Sequence, residues 1–282
     1  MRLAFIPMLA VTVFFWSCSG TEETKTADTG AVEETTEEAS GDAVNPMADF
    51  KFHTMLANLP SPLETFHIIS DVEIETSEIA MTDLAVASEL STATAKAYGY
   101  GMYMTDMGFM AYEHESQKTL DYFQVNRQLA QDLGAGEVFD RTISANFEEN
   151  SSDEAKFVRM MDEAFNAMDE YMVDNERFVN ATEIFVGSWV ESQILATRIL
   201  KDHAMTEANR PIYEAVYSQK IHASNLINVL GEIDIEIGED VYEAVEDIMM
   251  FYAGFSDVES ISQEDLSTLE GKLDNLKTLL LS

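Results

Sequence analysis

Between Pro62 and Pro211 the chain runs without a proline, and its apolar residues recur at intervals of three and four rather than in alternation. Proline inside a helix removes a backbone donor and clashes with the preceding turn, so a long proline-free run of this period is built for helices. β-branched alternation is scarce along the whole chain. The expected class is therefore all-α: a single bundle of about eight helices over residues 50–282, following a disordered N-terminal tether.

Local signals divide this run. Pro60-Ser61-Pro62 opens a short helix over Leu63–Ser70, a long segment follows from about 80 to 113, and another runs from Ser116 to Leu133 until Gly134-Ala135-Gly136 stops it. Glu137–Phe147 makes a short helix. Ser151 and Glu154 resemble a capping box, after which Phe157, Met161, Ala164, Met168 and Tyr171 line one face. A helix over 176–203 comes next, then one from Asn209 and Pro211 to about Leu230-Gly231, then one over Glu239–Phe255. The last segment carries Leu266, Leu269, Leu273, Leu276 and Leu280 at 3-4-3-4 spacing after Ser262, with Glu264 and Asp265 in its first turn. Such a seam either closes the domain's own bundle or forms a dimer contact.

Two segments are apolar on every side, which implies a central position. In AYGYGMYMTDMGFMAY, residues 97–112, Asp106 is the one charged group, and Gly101 and Gly108 allow neighbouring helices to come close. In IFVGSWVESQILATRIL, residues 184–200, Gly187 does the same, Trp189 supplies bulk, and Glu191 is the lone acid before Arg198. A buried carboxyl must be paired or must shift its pKa, so each acid is either a hydrogen-bonding hub or part of a site. If both helices are central, Asp106 and Glu191 can face each other, with Tyr103 and Trp189 as further candidate ligand-binding residues. Such a pair could hold a cation, an amine or a sugar, or do acid–base work.

The Tyr- and Gly-rich helix with its Asp106, the following KTLDYFQVNRQLAQDLG, and the Gly187-Ser188-Trp189-Val190-Glu191 helix together resemble uncharacterised all-helical envelope lipoproteins of Bacteroidetes, over about residues 55–200. That resemblance implies the fold and an envelope address, and it brings no activity with it.

Metal readings are thin. Met107, Met110 and His114 share a helical face that would suit Cu(I), but with 16 methionines in the chain, core filling is the plainer account. Glu64 and His67 form a single Glu-x-x-His where a di-iron bundle needs two. The segment 234–240 puts apolar residues where calcium ligands belong, and zinc-protease, nucleophile-elbow and phosphate-loop motifs are missing. No metal and no cofactor is expected.

The N-terminus supplies an address. Arg2 and the apolar run over residues 3–16 match a secretory signal, and the run is shorter than the ~20 residues a spanning helix needs. Phe15-Trp16-Ser17-Cys18 resembles a bacterial lipobox with bulky leading residues, a form familiar in Bacteroidetes. The expected boundaries are a signal peptide at 1–17, then the lipidated Cys18 and tether at 18–49. An ordinary cleaved signal would instead leave Cys18, the single cysteine, as a free thiol in an oxidising compartment. Palmitate-type acyl chains on Cys18 would anchor the protein in a membrane. Ser19 stands where an inner-membrane retention signal would put aspartate, which favours the outer membrane, on either its periplasmic or its surface side. Residues 19–49 hold almost no large apolar groups and cannot pay for folding.

Lys and Arg number 16 against 52 Asp and Glu, a net charge of −36. Only nine of the acids fall in residues 1–49, so the helical part is itself strongly acidic. Such a surface repels nucleic acid and anionic headgroups, which sets nucleic-acid binding aside; saline adaptation is the plainer reading, cation recruitment the sharper one. The functional expectation is a lipid-anchored envelope protein, not an enzyme, whose helical domain binds a small ligand or an envelope protein near Asp106 and Glu191. The alternatives are a carboxylate-based hydrolase of a glycan or cell-wall fragment, and a structural scaffold.

Overall fold

A computed structural model describes residues 68–69, 72, 74, 76, 79–150, 153–232 and 238–282, all within one compact unit. The signal segment, Cys18, the tether, and most of the Leu63–Ser70 helix lie outside the described residues, as do Ser151 and most of 234–240. The described chain is all-α. A 3₁₀ turn, Leu84–Ser88, precedes α1 (Ala93–Tyr112), α2 (Ser116–Asp132) and the short α3 (Gly136–Phe139). A π-turn at Asp140–Ser144 leads to α4 (Phe147–Asn150), α5 (Glu154–Asp174), α6 (Phe178–Leu200), α7 (Arg210–Glu232), α8 (Glu239–Ala253) and α9 (Gln263–Leu280). Among the described residues no helix is long and apolar enough to cross a membrane.

The two all-apolar helices form the centre. α1 packs mainly on α6 and α2, α6 also meets α9, α5 and α7, and α8 lies against α7 and α9. The α1–α6 crossing is backbone against backbone. A Cβ added at Gly101 would stand 2.0 Å from the Ile184 carbonyl oxygen, and one at Gly187 would stand 2.1 Å from that of Tyr98. Ser188 Oγ crosses the same gap to donate to the Gly101 carbonyl at 3.1 Å. Gly108 is only half-buried.

Caps account for the boundaries. The segment expected to be helical from about 80 opens later, because Thr92 Oγ1 accepts from the Ala95 amide and starts α1 at Ala93. Residues 79–83 take no regular secondary structure, and the Thr82 amide and the Ala80, Thr82 and Asp83 carbonyls are engaged by side chains from other helices. α5 begins one residue after Asp153, whose carboxylate accepts from the Lys156 amide in the role expected of Ser151. α2 ends where Gly134 adopts φ +75°. His114, the residue considered for copper, takes the left-handed turn after α1 at φ 58°, and the Glu115 amide closes onto the Met110 carbonyl at 2.9 Å. Met102, Met104, Met107 and Met110 are core side chains.

α9 carries both halves of a capping box between Ser262 and Asp265. Its five seam leucines are buried within the chain against α6 and α8, so the seam closes the domain's own bundle.

Candidate functional site

Asp106 on α1 and Glu191 on α6 both have 0% of their surface exposed, and the tight α1–α6 crossing brings them together. The two carboxyls are within hydrogen-bonding reach of each other. Each has one oxygen engaged elsewhere: Asp106 Oδ2 accepts from the Thr82 amide at 3.0 Å, and Glu191 Oε2 accepts from Lys277 Nζ at 2.5 Å. No other donor reaches Asp106 Oδ1 or Glu191 Oε1. Two carboxylate oxygens cannot bond without a hydrogen, so a single proton between them would satisfy both. Burial, and then the neighbouring Glu191, push the Asp106 carboxyl well above its ordinary range, against the opposing pull of Lys277 and the Thr82 amide.

Lys277 comes from α9 with its side chain 13% exposed. Besides Glu191 it donates to Thr82 Oγ1 at 2.7 Å. Thr82 therefore closes a ring: its amide on Asp106, its hydroxyl on Lys277, and Lys277 on Glu191. The peptide groups around Thr82 are equally well held. Tyr122 of α2 donates to the Thr82 carbonyl at 2.7 Å, Tyr103 of α1 donates to the Asp83 carbonyl at 2.7 Å, and Arg198 of α6 donates to the Ala80 carbonyl at 2.5 Å. Residues 79–83 thus form a strap tied by its main chain to side chains of α1, α2 and α6, and by the Thr82 hydroxyl to Lys277 of α9. Burial and the nearby Asp106 raise the Tyr103 and Tyr122 hydroxyls, so both remain donors at any physiological pH. Arg198 is itself braced by Glu270 at 3.0 Å and Asp274 at 2.9 Å, both on α9.

Outside the strap is an open cleft of about 450 Å³. Ile79, Met81, Leu84, Met110 and the ring of Tyr122 supply its apolar wall, and Asp83, Glu113, Glu115 and Lys118 its charged rim. Thr82 and Tyr122 belong to both places, so the strap separates the cleft from the buried acids.

Of the four candidate residues, Asp106, Glu191 and Tyr103 meet. Trp189 does not join them: two residues before Glu191, it points roughly 200° away around α6. Its indole donates to Gln219 Oε1 on α7 at 2.8 Å. None of the four lines the cleft among the described residues. The sequence reading missed Lys277, Thr82 and Tyr122. Only a charge argument could have pointed to Lys277, since two buried acids demand a cation and α9 offers just Lys272 and Lys277.

The comparisons with known proteins decide nothing. No protein-family model matches the chain, and no curated protein or solved structure is similar to it. The geometry has to speak alone. Glycoside hydrolysis needs two carboxyls ~5–9.5 Å apart on either side of a sugar bond. Here both acids have no solvent exposure and neither lines the cleft, so they do not flank an open sugar site. Among the described residues no group of three or more His, Cys, Asp and Glu is placed to hold a metal.

Proposed function

We propose that this chain is a lipid-anchored envelope protein whose helical domain binds a small ligand in the cleft beside the strap, with the buried acids organising the wall of that cleft. The observation that carries the reading is the cleft itself, an apolar wall under a rim of three acids and Lys118, about 450 Å³ in volume. That lining suits a ligand with an apolar body and an ammonium head, whose charge would meet Glu113, Glu115 and Asp83. The lipobox-like Phe15-Trp16-Ser17-Cys18 supports the anchor, and the resemblance to Bacteroidetes envelope lipoproteins supports an outer-membrane address.

The ligand reading is tested by thermal melts against a series of alkylammonium compounds. The expected result is a rise in Tm that grows with chain length and disappears when Glu113 and Glu115 are both changed to Gln. A rise that survives both changes would remove the cleft from consideration. The anchor is tested by mass spectrometry of the mature protein. Diacylglycerol on Cys18, and loss of membrane attachment in Cys18→Ala, is the expected pair of results; an unmodified thiol would end this half of the reading.

A structural scaffold is the second reading. What favours it is that no residue of α6 lines the cleft, so the cleft does not open between the two central helices.

A further inference from the structure

We infer that Asp106 and Glu191 form a proton-binding site that latches the strap, so that the strap is closed while the pair holds its proton and is released when the proton is lost. The inference is independent of any ligand in the cleft.

The ring around Thr82 is charge-balanced with one proton. Asp106 and Glu191 together then carry a single negative charge, and Lys277 carries the matching positive one. Three bonds of the ring are in place, the Thr82 amide on Asp106 Oδ2 and Lys277 Nζ on both Glu191 Oε2 and Thr82 Oγ1, while Asp106 Oδ1 and Glu191 Oε1 are buried with no other partner, which leaves them to share the proton. When the proton passes to the solvent, two carboxylates face each other with the one ammonium bound to Glu191 alone, and neither acid has solvent exposure. Their charge must be hydrated or the ring must open.

Among the four members of the ring, the strap is the one that can yield. Asp106, Glu191 and Lys277 stand on α1, α6 and α9, and both α1 and α9 are packed on α6. Thr82 is on a stretch without regular secondary structure, held by side-chain bonds and bordered on its other side by the open cleft. Moving Thr82 outward would admit solvent to both acids.

The other titratable or charged groups facing the ring keep their state. Tyr103 and Tyr122 are raised by burial and stay protonated. Arg198, from α6, is held by Glu270 and Asp274 of α9. Asp83, on the strap, points its side chain to the Ala85 amide and the surface. The proton of the acid pair is thus the one whose loss changes the ring.

The test is amide hydrogen exchange at Thr82 across the range from about pH 5 to about pH 9, corrected for the intrinsic base catalysis of exchange. In the wild type, protection should fall by roughly tenfold per pH unit between the ordinary carboxyl range and the raised value of Asp106. Asp106→Asn reproduces the protonated pair, because its amide donates to Glu191 and its carbonyl accepts from Thr82. In that variant Thr82 protection should be flat with pH. Constant protection in the wild type, or the same fall in Asp106→Asn, overturns the latch. A measurement on the wild type alone guards against a variant that does not fold. The infrared band of a protonated carboxyl should persist into the neutral range and vanish together with Thr82 protection; its absence at neutral pH also overturns the proposal.

Discussion

At the scale of single residues, the consequences concentrate where two helices touch and where charge is buried. At Gly101 and Gly187 the obstructing atoms are backbone, so no side chain can swing aside to admit a methyl group. Gly101→Ala or Gly187→Ala should each cost about 3 kcal/mol or more in urea unfolding. A cost below about 1 kcal/mol would mean that α1 and α6 are not in backbone contact. Lys277→Met tests the ion pair. It leaves Glu191 without its cation, at a cost of about 3 kcal/mol, the lower end for a buried pair because Lys277 keeps some solvent. If Lys277→Met melts like the wild type, Glu191 is balanced by something other than Lys277.

At the scale of elements, the caps and the seam carry the predictions. Ser262→Ala removes one half of the α9 capping box and should cost about 1 kcal/mol. Leu273→Ala opens a cavity against α6 and α8 and should cost about 2–5 kcal/mol. Because the seam is internal, Leu273→Ala should change stability without changing the sedimentation coefficient; a shift in oligomeric state would place the seam between chains after all.

Those same elements mark what a sequence can disclose. The α9 seam, the buried face of α5, and the facing of Asp106 and Glu191 were legible, because each is a repeating local pattern or a lone charge in an apolar helix. The strap was not. Residues 79–83 read as the start of a helix, and what holds them in place arrives from Asp106, Tyr103, Tyr122, Arg198 and Lys277, up to 195 positions further along the chain. No local propensity records such contacts. Lys277 was hidden for the same reason, since beside a leucine seam a lysine usually faces water.

At the scale of the whole molecule, the two kinds of shifted carboxyl set opposite slopes of stability against pH. Asp132, Asp140 and Glu259 are held below their ordinary range by hydrogen bonds from Lys96, Arg127 and Arg210 respectively. In Glu270 burial pulls upward, yet Lys201 and Arg198 leave it lowered. These groups stabilise the fold above the ordinary carboxylate range, and the contribution fades as the pH falls through their lowered values. Asp106 and Glu183 are raised, chiefly by burial. Their contribution is complete below the ordinary range and is lost as the pH rises through the raised values. The Tm should therefore peak in the mildly acidic range and decline towards alkaline pH, and Asp106→Asn should flatten the alkaline side. A Tm that climbs steadily into the alkaline range would contradict this. The charge of −36 adds self-repulsion, so added salt should raise the Tm at neutral pH.

The methionine-filled interior of α1 also gives the molecule a chemical memory. Met102, Met104 and Met107 are enclosed by the bundle, while Met250 on α8 stands 62% exposed. Peroxide converts accessible thioethers to sulfoxides and reaches enclosed ones only when the fold opens. Sulfoxide at Met250 would therefore record exposure to oxidant alone. Sulfoxide along α1 would record that a given molecule had come apart while the oxidant was present, and a swollen, polar side chain at that crossing would keep it from closing as it was.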